Sequence, residues 1–373
     1  MKKPIIAIAH QTIADGDAIG NDIIGMYYTL INEGYNVGLI SEHSSDILKK
    51  YQMSSANVDN FIEITDSLLI YHHSIHWEFG ETLLERFKGK IIFKFHNITP
   101  PQFFKDFSSI HYEKCRQGIE QTRRFINEYK DSVWWGDSSF NSTQLRQIGL
   151  KHDEIITVPP FNRLDAIEKI EPNYKIIDDL IKNNANNVLF VGRVAPNKGH
   201  IHLINIIKEY KENYDSNIHL WILGPIDHNH LKIYLNQLSI LIKKYGLDRN
   251  ISFVDKKPEI DVKAYYLGCD EFLCMSEHEG FCVPIIEAQQ LMLPVITFGG
   301  TALSETTGKN QIILDSFDYA FAASALFTLY TDEKVRKFCK KHGRINVDSK
   351  FSSEKIKKQF MSAFESSRMG VVQ

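Results

Sequence analysis

No run of apolar residues in this 373-residue chain approaches the length needed to cross a bilayer. The opening MKKPIIAIAHQTIADGD carries two lysines, but its apolar stretch is too short and too soon interrupted for a signal peptide. A buried first strand accounts for it better. Cysteine is sparse: Cys115, Cys269, Cys274, Cys282 and Cys339 are five, an odd number with no C-x-x-C pair. Most lie in apolar sequence, which predicts small reduced core residues and a cytoplasmic setting. Neither sign of charge dominates. The 43 Lys and Arg face 46 Asp and Glu, and a net charge of −3 gives no reason to expect nucleic acid as a partner. There is no low-complexity tract and no solenoid-type repeat. No G-x-G-x-x-G follows a strand, which argues against a dinucleotide dehydrogenase.

What the chain does contain is short apolar runs separated by amphipathic stretches. In the first half they fall at 4–10, 36–40, 67–73, 90–97, 132–139 and 154–160; in the second at 187–193, 218–224, 251–255, 271–277, 294–300 and 311–314. Such runs, spaced by helical patterns such as HIHLINIIKEYKENY, predict parallel strands buried on both faces. The fold class is therefore α/β, a doubly wound plan used twice. The polar stretch from Asn162 to Asn187, with Pro172 and an Asn cluster, separates the two series. This predicts an N-terminal domain over 1–165 and a C-terminal one over 185–350. Ligands of open α/β sheets bind beyond the carboxyl ends of the strands, so the expected site is the cleft between two such domains.

The densest signal is EHEGFCVPIIEAQQLMLPVITFGG, residues 277–300. A strand ends, a short loop with Gly280 follows, and Pro284 marks a helix start, where its fixed φ and missing N–H cost little. Glu279 then lies in the loop and Glu287 in the first helical turn. Loop amides at a helix N-terminus attract phosphate or a polar sugar, and carboxylates accept hydrogen bonds from hydroxyls. Both glutamates also suit solvated charges near a positive helix end. The run E-G-F-x-x-P-x-x-E-A followed by P-V resembles the E-x7-E motif of retaining GT-B glycosyltransferases, glycosyltransferase family 4. That resemblance implies a GT-B architecture, two Rossmann-like domains facing across a cleft, with the second binding the donor. It extends along almost the whole chain, including GDSSFN (136–141) and a C-terminal helix at about 352–373 that packs back on the N-terminal domain.

The second half opens with FVGRVAPNKGH, in which Arg193 follows a strand and Lys198 precedes Gly199 and a helix. A strand, a cationic loop and a helix-start glycine make a diphosphate cradle that needs no metal. Ion pairing of Arg193 with an acid, and a solvated Lys198, are the plainer expectation. The pattern is similar to the family's G-R-x4-K-G, which implies that both cations bind the diphosphate. Gly224 ends LWILGP and permits either close backbone approach to a nucleotide or a tight turn. The run 256–259, KKPE, falls where relatives hold the base.

In the first half, His96 stands at a strand's carboxyl end before Asn97 and a Pro-Pro turn. That placement resembles the family's sugar-binding histidine; a satisfied core or capping role is the alternative. His73 and Ser74, ending the preceding strand, are candidates for the acceptor side. In ADGDAIGND (14–22) the D-x-D suggests the metal site of GT-A enzymes, but the helix that follows and the different fold context argue against it. Family members carry a Gly-Gly pair in this loop, and this chain does not. Asp17, Gly20 and Asn21 are acceptor-side candidates, with helix capping the alternative for Asp17 and Asn21.

The resemblance thus implies a retaining hexosyltransferase using a nucleotide diphosphate sugar as co-substrate, with no cofactor and no metal. UDP-glucose is favoured on family frequency, and a GDP-mannose-dependent mannosyltransferase is the alternative. Arg193 and Lys198 would neutralise the leaving diphosphate, and Glu287 would accept from the ribose hydroxyls. Glu279 and the loop Gly280, Phe281, Cys282 and Val283 would orient the hexose, with His96 supporting it from the other domain. The transition state would be oxocarbenium-like, the acceptor attacking from the face the phosphate leaves. A UDP-sugar 2-epimerase lacks specifying carboxylates here, and the rival of another class is an inactive nucleotide-sugar-binding scaffold. A glycan or lipid-linked glycan acceptor, in polysaccharide biosynthesis, would bring the first domain to the inner membrane surface as a peripheral protein. Trp77, Phe79, Phe103, Phe104 and Phe107 are candidates for that surface, although core or cleft lining explains each more simply. The first half has no Lys and Arg excess to bind anionic lipid.

Overall fold

The computed structural model describes residues 3–369, which form two compact units. The first comprises residues up to 100, 113–163 and those from 353 on; the second comprises 101–112 and 164–352. Residues 101–112 thus group with the second unit, although they sit within the span expected for the first. Among the described residues no helix is long and apolar enough to cross a membrane.

In the first unit, six parallel strands form one sheet: β1 (Ile5–Ala9), β2 (Asn36–Ile40), β3 (Ser67–His73), β4 (Lys90–Phe95), β5 (Val133–Gly136) and β6 (Ile155–Thr157). Their order is β2-β1-β3-β4-β5-β6, so the winding reverses between β1 and β3. Ile8 lies beside Ile70, which lies beside Ile92, and all three are buried. This double-sided burial is why these strands read as continuous apolar runs. Phe93 stacks on Trp134 at 4.3 Å between ring centroids. The helix Ser353–Met369 belongs to this unit: Trp135 Nε1 donates to Ser367 Oγ at 3.1 Å, and Phe360 meets Trp135 and Phe161 edge-on.

After β1 the chain turns into α1 (Ala18–Asn32), capped by Asp17, whose carboxylate accepts from the Gly20 amide at 3.4 Å. A Cβ on Gly20 would sit 1.8 Å from the Ala14 carbonyl oxygen. Gly20 is therefore glycine because the loop folds under its own helix, and Asp17 is a cap. These placements give each a structural role of its own, the capping alternative in the case of Asp17; Asn21 is half-buried in the first turn.

The second unit's strands are β7 (Asn186–Val191), β8 (Ile218–Leu223), β9 (Ile251–Val254), β10 (Glu271–Cys274), β11 (Val295–Phe298) and β12 (Ile312–Leu314), all parallel, in the order β9-β8-β7-β10-β11-β12. This is the Rossmann order, and its switch point lies between β7 and β10. The helices that matter for the site are α2 (His200–Asn213), α3 (Glu259–Gly268) and α4 (Val283–Gln290).

Gly199, at the start of α2, has φ 69° and a virtual Cβ 1.9 Å from the Met275 carbonyl oxygen. Only glycine lets the loop after β7 pass this close under the end of β10. Gly224 has φ 147° and approaches the Gly192 carbonyl, where a Cβ would come within 2.3 Å. The close approach that Gly224 makes in this structure is to the neighbouring β7 loop.

Candidate functional site in the second unit and a buried polar cluster in the first

The loops after β7 and β10 flank the switch point and are joined to each other. The Glu277 amide donates to the Asn197 carbonyl at 2.9 Å, and the Asn197 side chain donates to the His278 carbonyl at 3.2 Å. That junction brings Lys198 Nζ to 2.6 Å from Glu279 Oε1, with both side chains largely buried. Two residues 81 positions apart, each singled out from the sequence, therefore form one ion pair. Arg193 is exposed and makes no ion pair or hydrogen bond among the described residues. The plainer expectation is reversed: the lysine is paired and the arginine is the open cation. A cavity of about 190 Å³ opens beside Arg193, lined also by Phe104, His111, Pro225, Asp227 and Leu231, all within this unit.

The 279–282 loop is held from behind. Thr301 Oγ1 accepts from the Glu279 amide at 3.3 Å, and Thr306 Oγ1 donates to the Phe281 carbonyl at 2.6 Å. The Phe281 ring is buried edge-on against Phe351 at 5.4 Å, so this side chain anchors the loop and leaves only its amide for a ligand. The amides of Phe281 and Cys282 have no hydrogen-bond partner among the described residues. Such open amides ahead of a helix suit an anionic or hydroxylated ligand. Cys282 caps α4 with φ 76°, a left-handed conformation uncommon outside glycine.

Val283 and Pro284 open α4, which places Glu287 in its second turn. The first turn holds no acid, a correction to the sequence-based expectation. Helical rise carries Glu287 about 6 Å from the helix start. There Tyr266 of α3 donates its hydroxyl to Glu287 Oε2 at 2.9 Å. Burial and the adjacent carboxylate hold the Tyr266 phenol well above its ordinary pKa, so it remains a neutral donor that fixes the carboxylate's orientation. Neither Tyr266 nor Asn197 is marked by any motif, since each acts only through a partner distant in sequence. In the 256–259 run, Pro258 caps α3 and Glu259 lies in its first turn.

At the strand ends of the first unit, the structure gathers a different set. His96 follows β4 with its ring 5% exposed; Nδ1 lies 2.9 Å from Asp137 Oδ2 and Nε2 lies 2.7 Å from His72 Nδ1. The two imidazoles are stacked at 4.9 Å. With Asp137 ionised, Nδ1 of His96 donates to it and Nε2 accepts from His72, a tautomer inferred from the network. Both His96 nitrogens are thus engaged by protein groups, which leaves its ring no open donor or acceptor for a sugar. The satisfied alternative describes it.

Lys94 is fully buried and pairs with Asp137 Oδ1 at 2.8 Å while also donating to the Val158 carbonyl. Burial alone would raise the Asp137 pKa, but the charges and hydrogen bonds of His96 and Lys94 outweigh it and hold the carboxyl below the usual range. Asp22 accepts from the Phe161 amide at 2.8 Å, and burial lifts its carboxyl to about 6.

Strand alternation separates His72 from His73. His73 faces the other side of the sheet, where Nε2 meets Thr122 Oγ1 at 2.7 Å and the ring packs near Phe125. Burial lowers it to about 3. His73 is therefore a neutral core residue, not an acceptor contact. Ser74 lies 2.9 Å from Nε2 of His10, which directly follows β1, and His10 is itself lowered to about 4 by burial. The aromatic surface proposed for a membrane does not form. Trp77 and Phe104 are buried, Phe107 meets Tyr234 at 5.1 Å, Phe103 lies 6.3 Å from His278, and only Phe79 is exposed.

Two parallel sheets of these orders, each with its polar groups at the carboxyl ends, define the two domains of the GT-B architecture. The structure of Anabaena Alr3699/HepE in complex with UDP-glucose matches this chain with a TM-score of 0.72 at 16% identity, covering 97% of this chain and 99% of that one. Residues 175–345, all within the second unit, match the family model of glycosyl transferases group 1. Among characterised relatives, the D-inositol 3-phosphate glycosyltransferase of Corynebacterium efficiens is 30% identical over 158 residues, 41% of this chain and 36% of the relative. The capsular polysaccharide biosynthesis glycosyltransferase CapM of Staphylococcus aureus is 29% identical over 207 residues, 54% of this chain and 50% of the relative. The chain therefore matches between about a third and a half of the length of these relatives.

Proposed function

We propose that this protein is a retaining glycosyltransferase that moves a hexose from a nucleotide diphosphate sugar to a glycan or lipid-linked glycan, without a metal ion. The carrying observation is the Lys198–Glu279 ion pair at the switch point of the second sheet, with Arg193 unpaired on the same strand's loop. Two cations there match the charge that a diphosphate leaving group develops. Where bound ligand excludes water, a fixed donor aimed at that charge is worth about 3–4 kcal/mol of transition-state stabilisation. On diphosphate binding Lys198 turns toward phosphate, which frees the Glu279 carboxylate to accept from sugar hydroxyls. The Phe281 and Cys282 amides complete the contact. The departing phosphate takes the acceptor's proton, and no protein nucleophile is needed. Support for UDP-glucose as donor comes from the HepE complex, and for polysaccharide synthesis from CapM.

Glu287, oriented by Tyr266, accepts from the ribose hydroxyls in this reading. Glu287→Ala should weaken UDP binding by roughly tenfold or more, the loss of charge-assisted hydrogen bonds. An unchanged dissociation constant by calorimetry would remove Glu287 from that role.

The reading as a whole is tested by thermal shift with UDP, GDP and ADP and their glucose, mannose and galactose conjugates, in EDTA. Stabilisation by one diphosphate, increased by one sugar, supports the cradle and identifies the donor by mass action. No shift with any of them sinks the donor site. Binding without turnover would leave a nucleotide-sugar-binding protein instead.

A further inference from the structure

Beside the Lys198–Glu279 pair lie two thiols that the proposed reaction does not use. Cys274 ends β10 and is fully buried; Cys282 caps α4 and is half-buried. Their sulfurs are 4.0 Å apart, and one oxygen of Glu279 lies within 4.8 Å of both. A disulfide requires about 2.05 Å between sulfurs. Two thiolates on one tetrahedral zinc, each at about 2.3 Å, stand about 3.8 Å apart. The observed separation is close to the second geometry and far from the first.

We propose that Cys274, Cys282 and Glu279 form a binding site for a borderline-soft divalent cation of the zinc type, whose occupancy takes Glu279 away from Lys198. The ligand chemistry fits: two sulfurs and one carboxylate oxygen make three protein ligands, leaving a fourth position for water. Cys274 is fixed at the end of a strand and Cys282 at the start of a helix, so the sulfur pair is preorganised. Cys282 holds its left-handed backbone at φ 76° and turns its side chain toward Cys274. Access is from the half-buried side, past Gly280 and Cys282. Binding is balanced as one M²⁺ with two thiols and one carboxylate giving the bound metal and two released protons, so affinity rises with pH.

The metal site stands on its own geometry, whereas its consequence rests on the proposed donor site. If Glu279 is bound to metal, it cannot orient a hexose, and Lys198 loses the partner that positions it. A zinc-type ion then acts as an inhibitor of a transferase that itself needs none.

The test uses the full chain, kept reduced and stripped of metal, titrated with Co²⁺ and then with Zn²⁺. One equivalent of Co²⁺ should produce a thiolate-to-cobalt charge-transfer band that Zn²⁺ removes. Cys274→Ser and, independently, Cys282→Ser should each abolish it, while Cys339→Ser should retain it. Melting curves of each variant identify any that fails to fold. Absence of the band in the native chain, or its survival in a folded Cys274→Ser variant, overturns the site. Zinc should also abolish the extra thermal shift that UDP-glucose gives over UDP alone, with EDTA restoring it; an unaffected difference refutes the competition for Glu279. A chain that is stabilised by UDP in EDTA but shows no cobalt band loses this site alone. A chain that shows the band but binds no nucleotide loses the donor reading alone.

Discussion

Arg193→Ala should lower turnover by roughly 10²–10³-fold and leave the melting temperature unchanged, and adding Lys198→Ala should lower turnover further. The two cations differ in what else they do. Arg193 is exposed and unpaired among the described residues, so its loss removes nothing from the resting fold. Lys198 holds a largely buried Glu279 at 2.6 Å, so its removal also strands a carboxylate. The single Arg193 variant is thus the cleaner probe of leaving-group stabilisation, and the double variant reports catalysis and stability together. Steady-state kinetics with calorimetric melting separate the two. Near-normal turnover in the double variant would refute a cradle built from these side chains.

The largest stability effect is expected in the first unit. Lys94→Met should destabilise that unit by about 3–5 kcal/mol, because it leaves the buried Asp137 without its 2.8 Å cation. The methionine keeps most of the packing volume, so the loss reports charge and not cavity. Adding Asp137→Asn should recover a large part of the deficit, since the stranded charge is then gone. Chemical denaturation of the three variants measures this. A single-variant loss below about 1 kcal/mol, the scale of an exposed pair, would show that the Lys94–Asp137 pair carries little of the unit's stability.

The strands were legible because parallel strands buried on both faces leave unbroken apolar runs. Eleven of the twelve expected runs contain an observed strand, and their offsets are at the ends, where pairing stops before the apolar character does; the seventh run overlaps its strand, which begins one residue early, at Asn186. Lys198 and Glu279 were legible through motif spacing, and their meeting is a product of the switch-point topology. Glu287 was placed in the first turn because Pro284 marked the expected start; the helix begins one residue sooner, at Val283 after the left-handed Cys282, which carries Glu287 into the second turn. The first unit was read less well. His96 looked like a ligand contact since a sequence cannot show that Asp137 and His72 already occupy its ring. His73 failed for a simpler reason: one step along a strand reverses the face. Tyr266, Asn197, Lys94 and Asp137 carried no local signal, because burial of a polar side chain is decided by its partners.

The helix Ser353–Met369 has a consequence for the birth of the protein. Trp135, Phe161 and Tyr35 are covered by Phe360, Phe364 and Ser367, residues synthesised only after the entire second unit. Domains tend to fold as they emerge, the earliest first. Here the earliest cannot be finished: the nascent first sheet must wait, with an aromatic face uncovered, until the later domain has been translated. The second unit meanwhile takes in residues 101–112, made long before the rest of it. Neither unit is a contiguous stretch of message, so truncation at the apparent linker would release two incomplete folds.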